Sequence, residues 1–293
     1  MRSRLPLTAL LLAAACGGAS ASDKVSVLAV DRLSGELGAQ DVDLPGTDLA
    51  AVRGPAGIVL LDGGRTPDCQ LRRKVSGSLV ARTLPCVSLL GHYAAMERAR
   101  QFLISAGAEA LPPATVMAGE SAPSGLRYVA SSDSFTLGEG PRGARVPAAF
   151  NPGAVAREMA RRQLRAVAET HPEEAEGIAL FLGAAAAADP GYLASSELGG
   201  DPTGSLDLAR PLPPGSAASA VLAGALWAWA DASGDLTGAA RAALAAARAL
   251  PAGNADAAAV LSLVADQLDG AERDQACAVF RSRLRAAGIS ACP

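Results

Sequence analysis

Few side chains in this chain can do chemistry, and they are widely spaced. There are two histidines, His92 and His171. Asp62 closes the apolar run GIVLL, and Glu97 follows His92 five positions on. An imidazole and two carboxylates are groups that hold a metal ion or pass a proton. Asp62, His92 and Glu97 are therefore weak candidates for a catalytic set, and their spacing names no reaction. The set is thin, because a catalytic zinc takes about three protein ligands and an open position. The plainer expectation for His92 is a strand-end side chain hydrogen-bonded to its neighbours. No cofactor is expected and no metal ligand is assigned; zinc would enter only if this set were catalytic.

Other chemistries lack their marks. The sequence has no G-x-S-x-G or S-x-x-K, and no P-loop, C-x-x-C or H-E-x-x-H. Gly138-Glu139-Gly140-Pro141-Arg142-Gly143 matches G-x-G-x-x-G as a string, but no helix pattern follows to present N–H groups to a pyrophosphate, so a turn is expected. Asp231, Ser233, Asp235 and Thr237 place oxygens at alternate positions. Leu236 and Ala242 occupy the glycine and bidentate-acid positions of a calcium loop, which leaves a loop and a helix cap.

Of the 26 Lys and Arg residues, Arg2 and Arg4 lie in the first fifteen positions, which hold no acid; the remainder sets 24 cations against 29 anions. That mild acidity argues against a nucleic-acid partner. Half of the residues are hydrophobic but only 3% are aromatic, a composition suited to close packing of Ala, Leu and Val on helices. Besides Cys16 there are four cysteines, Cys69, Cys86, Cys277 and Cys292. An even set in an exported chain suggests disulfides, in any of three connectivities. Pairing sequence neighbours would contribute roughly 3 kcal/mol per bridge on the chain-entropy model. A buried thiol at Cys277 on an apolar helix face is the alternative.

The elements that must position these groups fall into two stretches. From Val25 to about Phe150, strand and helix patterns mix. KVSVLAV alternates as a strand, and DLAAV, the Gly-Pro turn at Arg53–Gly57 and GIVLLDGG read as a hairpin. Leu71 to Ala81 reads as a helix broken at Gly77, Val87 to Leu90 as a buried strand, and Ala94 to Ser105 as a helix stopped by Gly107. Glu109 to Ala118 is extended, and LRYVA and SFTLG are strands. At Asn151 the pattern turns helical, with Asn151 as cap and Pro152 in the first turn. In the helix from Ala154, Ala156, Met159 and Leu164 share one face. Arg157, Arg161, Arg162 and Arg165 share the other, expected to be solvated and laced by Glu158–Arg162 and Arg165–Glu169 pairs. Thr170 to Glu173 reads as a capping box for a helix carrying Ile178, Phe181 and Leu182. Helices are expected over Ala217–Ala230, Leu236–Leu250, Ala255–Leu268 and Ala271–Ala287, with Trp227 and Trp229 pointing different ways, one to the core and one to an interface.

Two resemblances add expectations. The leader MRSRLPLTALLLAAAC resembles the signal and lipobox of bacterial lipoproteins. Residues 1–15 would be cleaved, Cys16 would carry the lipid, and residues 16–24, with GGASAS, would form a flexible tether. Gly17 after the cysteine implies delivery to an outer membrane, facing the periplasm. The alternative is ordinary cleavage after Ala19-Ser20-Ala21 and secretion. Separately, LAAVRGPAGIVLLDGG, VSLLGHYAAMERARQFLISAGAEAL and SSDSFTLGEGPRGARVPAAFNPGAV, in that order, resemble segments of the metallo-β-lactamase fold. The resemblance places His92 at the first histidine of that family's metal motif. Ala94, Met96 and Glu97 stand at the other ligand positions, and the later histidine position, around Phe150 to Pro152, has none.

The expected fold class is therefore α/β (αββα-like) over 25–150, followed by an Ala-rich all-helical region over 151–293. The expected function is a lipid-anchored cell-envelope protein with a non-catalytic binding or scaffolding role. Its partners would be the membrane, through the lipid, and an envelope protein or small ligand. The alternative is a hydrolase of the metallo-β-lactamase-like class with an atypical site around Asp62, His92 and Glu97.

Overall fold

A computed structural model describes residues 24–30, 37–119, 125–138, 150–193, 206–212, 215–253, 255–285 and 292. The leader, Cys16, the tether, most of the G-x-G-x-x-G string and the stretch 144–149 lie outside the described residues. The described chain is α/β, with two mixed sheets followed by helices.

The alternating N-terminal segment forms β1 (Val25–Val30), which pairs antiparallel with β2 (Leu37–Val42) and parallel with β6 (Leu79–Ala81). β5 (Leu71–Arg73) completes this sheet in the order β2-β1-β6-β5. The helix expected over Leu71 to Ala81 is thus a β-hairpin. Its turn is built by Gly77 at φ +93°, a left-handed conformation that suits glycine, with the Lys74 N–H donating to the Ser78 carbonyl at 2.8 Å. The segment also carries too few apolar residues at helical spacing to bury a helix face.

The second sheet runs β3-β4-β7-β9-β8, from β3 (Arg53–Gly54), β4 (Gly57–Leu61), β7 (Ala114–Ala118), β8 (Gly125–Val129) and β9 (Ser134–Gly138). A hairpin forms here as the sequence suggests, but its first arm is Arg53–Gly54, placed by the sequence reading in the turn, while Leu49 to Val52 of DLAAV form a turn. The central strands β4, β7 and β9 are parallel, and β3 and β8 are antiparallel edges. Val59, Val116, Phe135 and Leu137 bury their side chains here.

Between the β5–β6 hairpin and β7 runs α1 (Leu84–Ser105), which absorbs Val87 to Leu90, expected as a strand. Thr83 is extended at its N-cap and Pro85 sits in the first turn, where its missing N–H costs nothing. Leu90, Tyr93, Met96, Ala99 and Leu103 recur at helical spacing and are buried. Gly91 lets α1 press on β1: a Cβ there would come within 2.5 Å of the Leu28 carbonyl oxygen and 2.8 Å of the Phe150 ring.

After Asn151, whose side chain accepts from the Gly153 and Ala154 N–H groups, come α2 (Pro152–Gln163), α3 (Arg165–Ala168) and α4 (Pro172–Ala187). α5 (Ala218–Ser233), α6 (Leu236–Arg248), α7 (Ala257–Ala265) and α8 (Gly270–Leu284) follow. Beyond its acidic first turns, α4 is apolar on every side from Gly177 onward and is buried among α2, α5 and α6. Thr170 does not cap it; His171 holds the N-cap without a side-chain bond, and Thr170 Oγ1 reaches back to the Val167 carbonyl. Both tryptophans are buried, Trp229 edge-on to Phe280. Neither therefore stands out on the surface of this chain, where one of the two was expected. One apolar core runs from the sheets into the helices without a break.

Candidate functional site

The parallel strands β4, β7 and β9 end side by side, and the chain leaves each of them there. Crevices at the carboxyl ends of parallel strands are where open α/β sheets place ligands. Here the crevice has a volume of about 220 Å³. Leu61, Ala118 and Leu137 form its floor, and Pro85, Ser88, Leu89 and His92 of α1 form one wall. Asp62 and Arg65 form the opposite rim.

The rim follows from two glycines. Gly63 and Gly64 have φ of +78° and +76°, so the chain reverses tightly after Asp62, and the Leu61 N–H donates to the Arg65 carbonyl at 2.8 Å. Arg65 Nε then donates to the Asp62 carbonyl at 3.3 Å. The Asp62 carboxylate lies over Gly119 at the end of β7, where a side chain's first carbon would overlap it.

The wall follows from helical spacing. Ser88 and His92 are one turn apart on α1, with Ser88 Oγ and His92 Nε2 separated by 3.4 Å. His92 is only 4% exposed, and its ring lies 4.1 Å from that of Phe150, centroid to centroid. Cys86, in the first turn of α1, is bridged to Cys69, with Cα atoms 5.5 Å apart. Rim and wall are thereby joined covalently. The second bridge joins Cys277 to Cys292, so neighbours pair in both cases and Cys277 is no free thiol.

Of the three residues singled out from the sequence, Asp62 and His92 line one crevice and Glu97 does not. Glu97 is 2% exposed and is held by Arg100, through contacts of 2.6 and 2.8 Å, and by Gln101 at 2.9 Å. Ala94 and Met96, at the positions where the metallo-β-lactamase motif carries ligands, are core residues of α1. His92 is a mid-helix residue, not a strand-end one. His171 lies elsewhere, its Nε2 3.0 Å from the Pro251 carbonyl oxygen. Among the described residues no three His, Cys, Asp or Glu side chains converge on a point. Asp62 and His92 are fewer than the roughly three protein ligands that a catalytic zinc takes. Ser88 and Arg65 were missed from the sequence. The signal for Ser88 is the Ser-x-x-x-His spacing, which brings the two side chains together only on a helix.

The arginine face expected to be solvated is so only in part: Arg161 is half-buried and Arg165, in α3, is exposed. Arg157 and Arg162 are 5% and 8% exposed. Arg157 and Arg161 share Glu176 of α4, and Arg161 also meets Glu158 at 2.7 Å. Arg162 pairs with Asp133 at 2.8 Å, not with Glu158, and donates to the Pro112 carbonyl. Glu158 accepts from the Tyr128 N–H. Arg162 holds the Asp133 carboxyl at about 2, below its ordinary 3.8, and the Tyr128 hydroxyl reinforces this against partial burial. A larger cavity, of about 610 Å³, opens beside this seam at Tyr128, Arg161, Arg165 and Glu176. Arg161 and Glu176 already satisfy one another there. The smaller crevice is the better site because its polar groups converge where the strands end.

No family model matches the chain, and no curated protein matches it either.

Proposed function

We propose that this is a lipid-anchored cell-envelope protein that binds a small, partly apolar ligand in the crevice at the ends of β4, β7 and β9. The observation that carries this is the convergence of Asp62, Arg65, Ser88 and His92 on leucine-lined walls. Ligand sites are mostly apolar concavities with a few placed polar groups, and drug-sized ones run to roughly 300–1,000 Å³. A cavity of about 220 Å³ suits a smaller metabolite, with an acceptor facing Arg65 and a donor facing Asp62. The leader supports export and anchoring, and two disulfides fit an oxidising compartment. No helix among the described residues is long and apolar enough to cross a membrane.

A thermal-shift screen of small polar metabolites tests the binding, using the chain that begins after Cys16. Stabilising compounds should lose their effect in Asp62→Asn and Arg65→Ala. Hits that are indifferent to both substitutions, or no hits at all, would overturn the reading. Metal analysis of the same preparation tests the metal-free part: stoichiometric zinc or manganese would restore the metallo-hydrolase alternative.

A further inference from the structure

We propose that Ser88 is an acyl-accepting nucleophile and His92 its general base, so that the crevice hydrolyses short-chain carboxylic esters. The inference rests on the crevice being the ligand site and adds an activity to it. Three features of the geometry support it. Ser88 Oγ and His92 Nε2 are 3.4 Å apart, and such contacts are often long before substrate tightens them. His92 is buried and braced by Phe150, whereas Ser88 is half-buried and lines the cavity. The attacked atom would therefore approach Ser88 from the open side while the base stays out of solvent. Finally, Arg65 lines the same cavity, so a cation is within the site that would hold a developing oxyanion.

The chemistry balances without a cofactor. Ser88 Oγ attacks the ester carbonyl carbon while its proton passes to His92 Nε2. The bond to the leaving alcohol breaks, and the alcohol takes that proton. Water then attacks the acyl-Ser88 carbonyl, giving its proton to His92. The acid departs as the Ser88 oxygen regains the proton. Leu61, Leu89 and Leu137 would face an acyl chain of a few carbons, and the cavity volume limits the whole substrate to a small ester.

Diisopropyl fluorophosphate and p-nitrophenyl acetate are the probes, applied to the disulfide-bonded chain beginning after Cys16. The phosphoryl adduct should form at Ser88 with loss of fluoride, located by peptide mass mapping, and should be absent from urea-unfolded protein. Ser88→Ala should abolish the adduct. His92→Asn should slow both labelling and acetate hydrolysis by roughly a hundredfold, the scale of a lost general base. In the wild type, p-nitrophenolate should be released in a burst matching the protein concentration, a signature that a merely structural Ser88–His92 contact would not give. Acetate hydrolysis unchanged in Ser88→Ala, or an adduct at any other residue of the folded wild type, would overturn the proposal even if the variants fail to fold. If the thermal-shift ligands still bind while Ser88 stays unlabelled, the activity fails and the binding site stands. If neither is seen, both fail.

Discussion

Asp133 shows how a single residue's surroundings become a pH dependence. Its folded carboxyl titrates at about 2 against an ordinary 3.8, chiefly because Arg162 donates to it. The folded value is depressed, so the stabilisation is present in full above the ordinary value and is lost as pH falls through the folded one. The urea midpoint of the wild type should therefore exceed that of Asp133→Asn at about pH 6, and the gap should close as the pH approaches about 2. A gap independent of pH would show that the pair does not carry it. This pair was not legible in the sequence. Arginine spacing tells which side chains share a helix face; it does not tell what packs opposite. The acids that meet Arg157 and Arg162 come from Glu176 and Asp133, outside α2, so a buried seam read as a solvated stripe. Gly119 makes a different prediction. A methyl there would push the Asp62 carboxylate aside, and Asp62 is exposed and free to move. Gly119→Ala should thus leave stability within about 0.5 kcal/mol. It should weaken crevice ligands about tenfold, the scale of one charged hydrogen bond; paired thermal melts and titrations read both.

At the scale of elements, α1 decides what the site is. Val87 to Leu90 is a short apolar run, and periodicity alone cannot tell a buried strand from a helix segment of that length. Thr83 and Pro85 were the available start signals, and they place the helix ten residues earlier than the sequence reading did. That shift has chemical consequences: it brings Ser88 beside His92 and turns Glu97, five positions on, away toward Arg100. The β3–β4 hairpin, the Asn151 cap and the later helices were legible because Gly, Pro and cap residues punctuate them. The Cys69–Cys86 bridge pins the start of α1 to the chain that follows the Asp62–Arg65 rim. The bridges span 17 and 15 residues, so removing either by paired Cys→Ser changes should cost a similar roughly 3 kcal/mol. Their effects on function should differ. Loss of Cys69–Cys86 should free the α1 wall and weaken crevice ligands severalfold, whereas loss of Cys277–Cys292 should leave binding unchanged in protein that is still folded. Urea melts and titrations of the two double variants make the comparison, and equal binding losses would remove the bridge from the site.

For the whole molecule, composition foretold the manner of packing. With few aromatics, close approach is achieved where side chains are smallest. A Cβ at Gly177 would come within 2.8 Å of the Ser219 carbonyl oxygen, and one at Gly183 within 2.7 Å of that of Gly153, so α4 can lie against both α5 and the start of α2. Because one core joins sheets and helices, a single N-terminal attachment would hold the crevice and the helices together at a membrane face. One acyl chain binds a bilayer only marginally, while a multiply acylated cysteine stays bound. The full chain, produced in a bacterium with an outer membrane, should pellet with membranes, resist salt and carbonate washes and dissolve in detergent. Cys16→Ser should move it to the soluble envelope fraction with both disulfides and crevice binding intact, because the bridges use the other four cysteines and the crevice is lined by residues between Leu61 and Gly138. Wild-type protein recovered in that soluble fraction, with a mass matching cleavage after Ala21, would instead establish plain secretion.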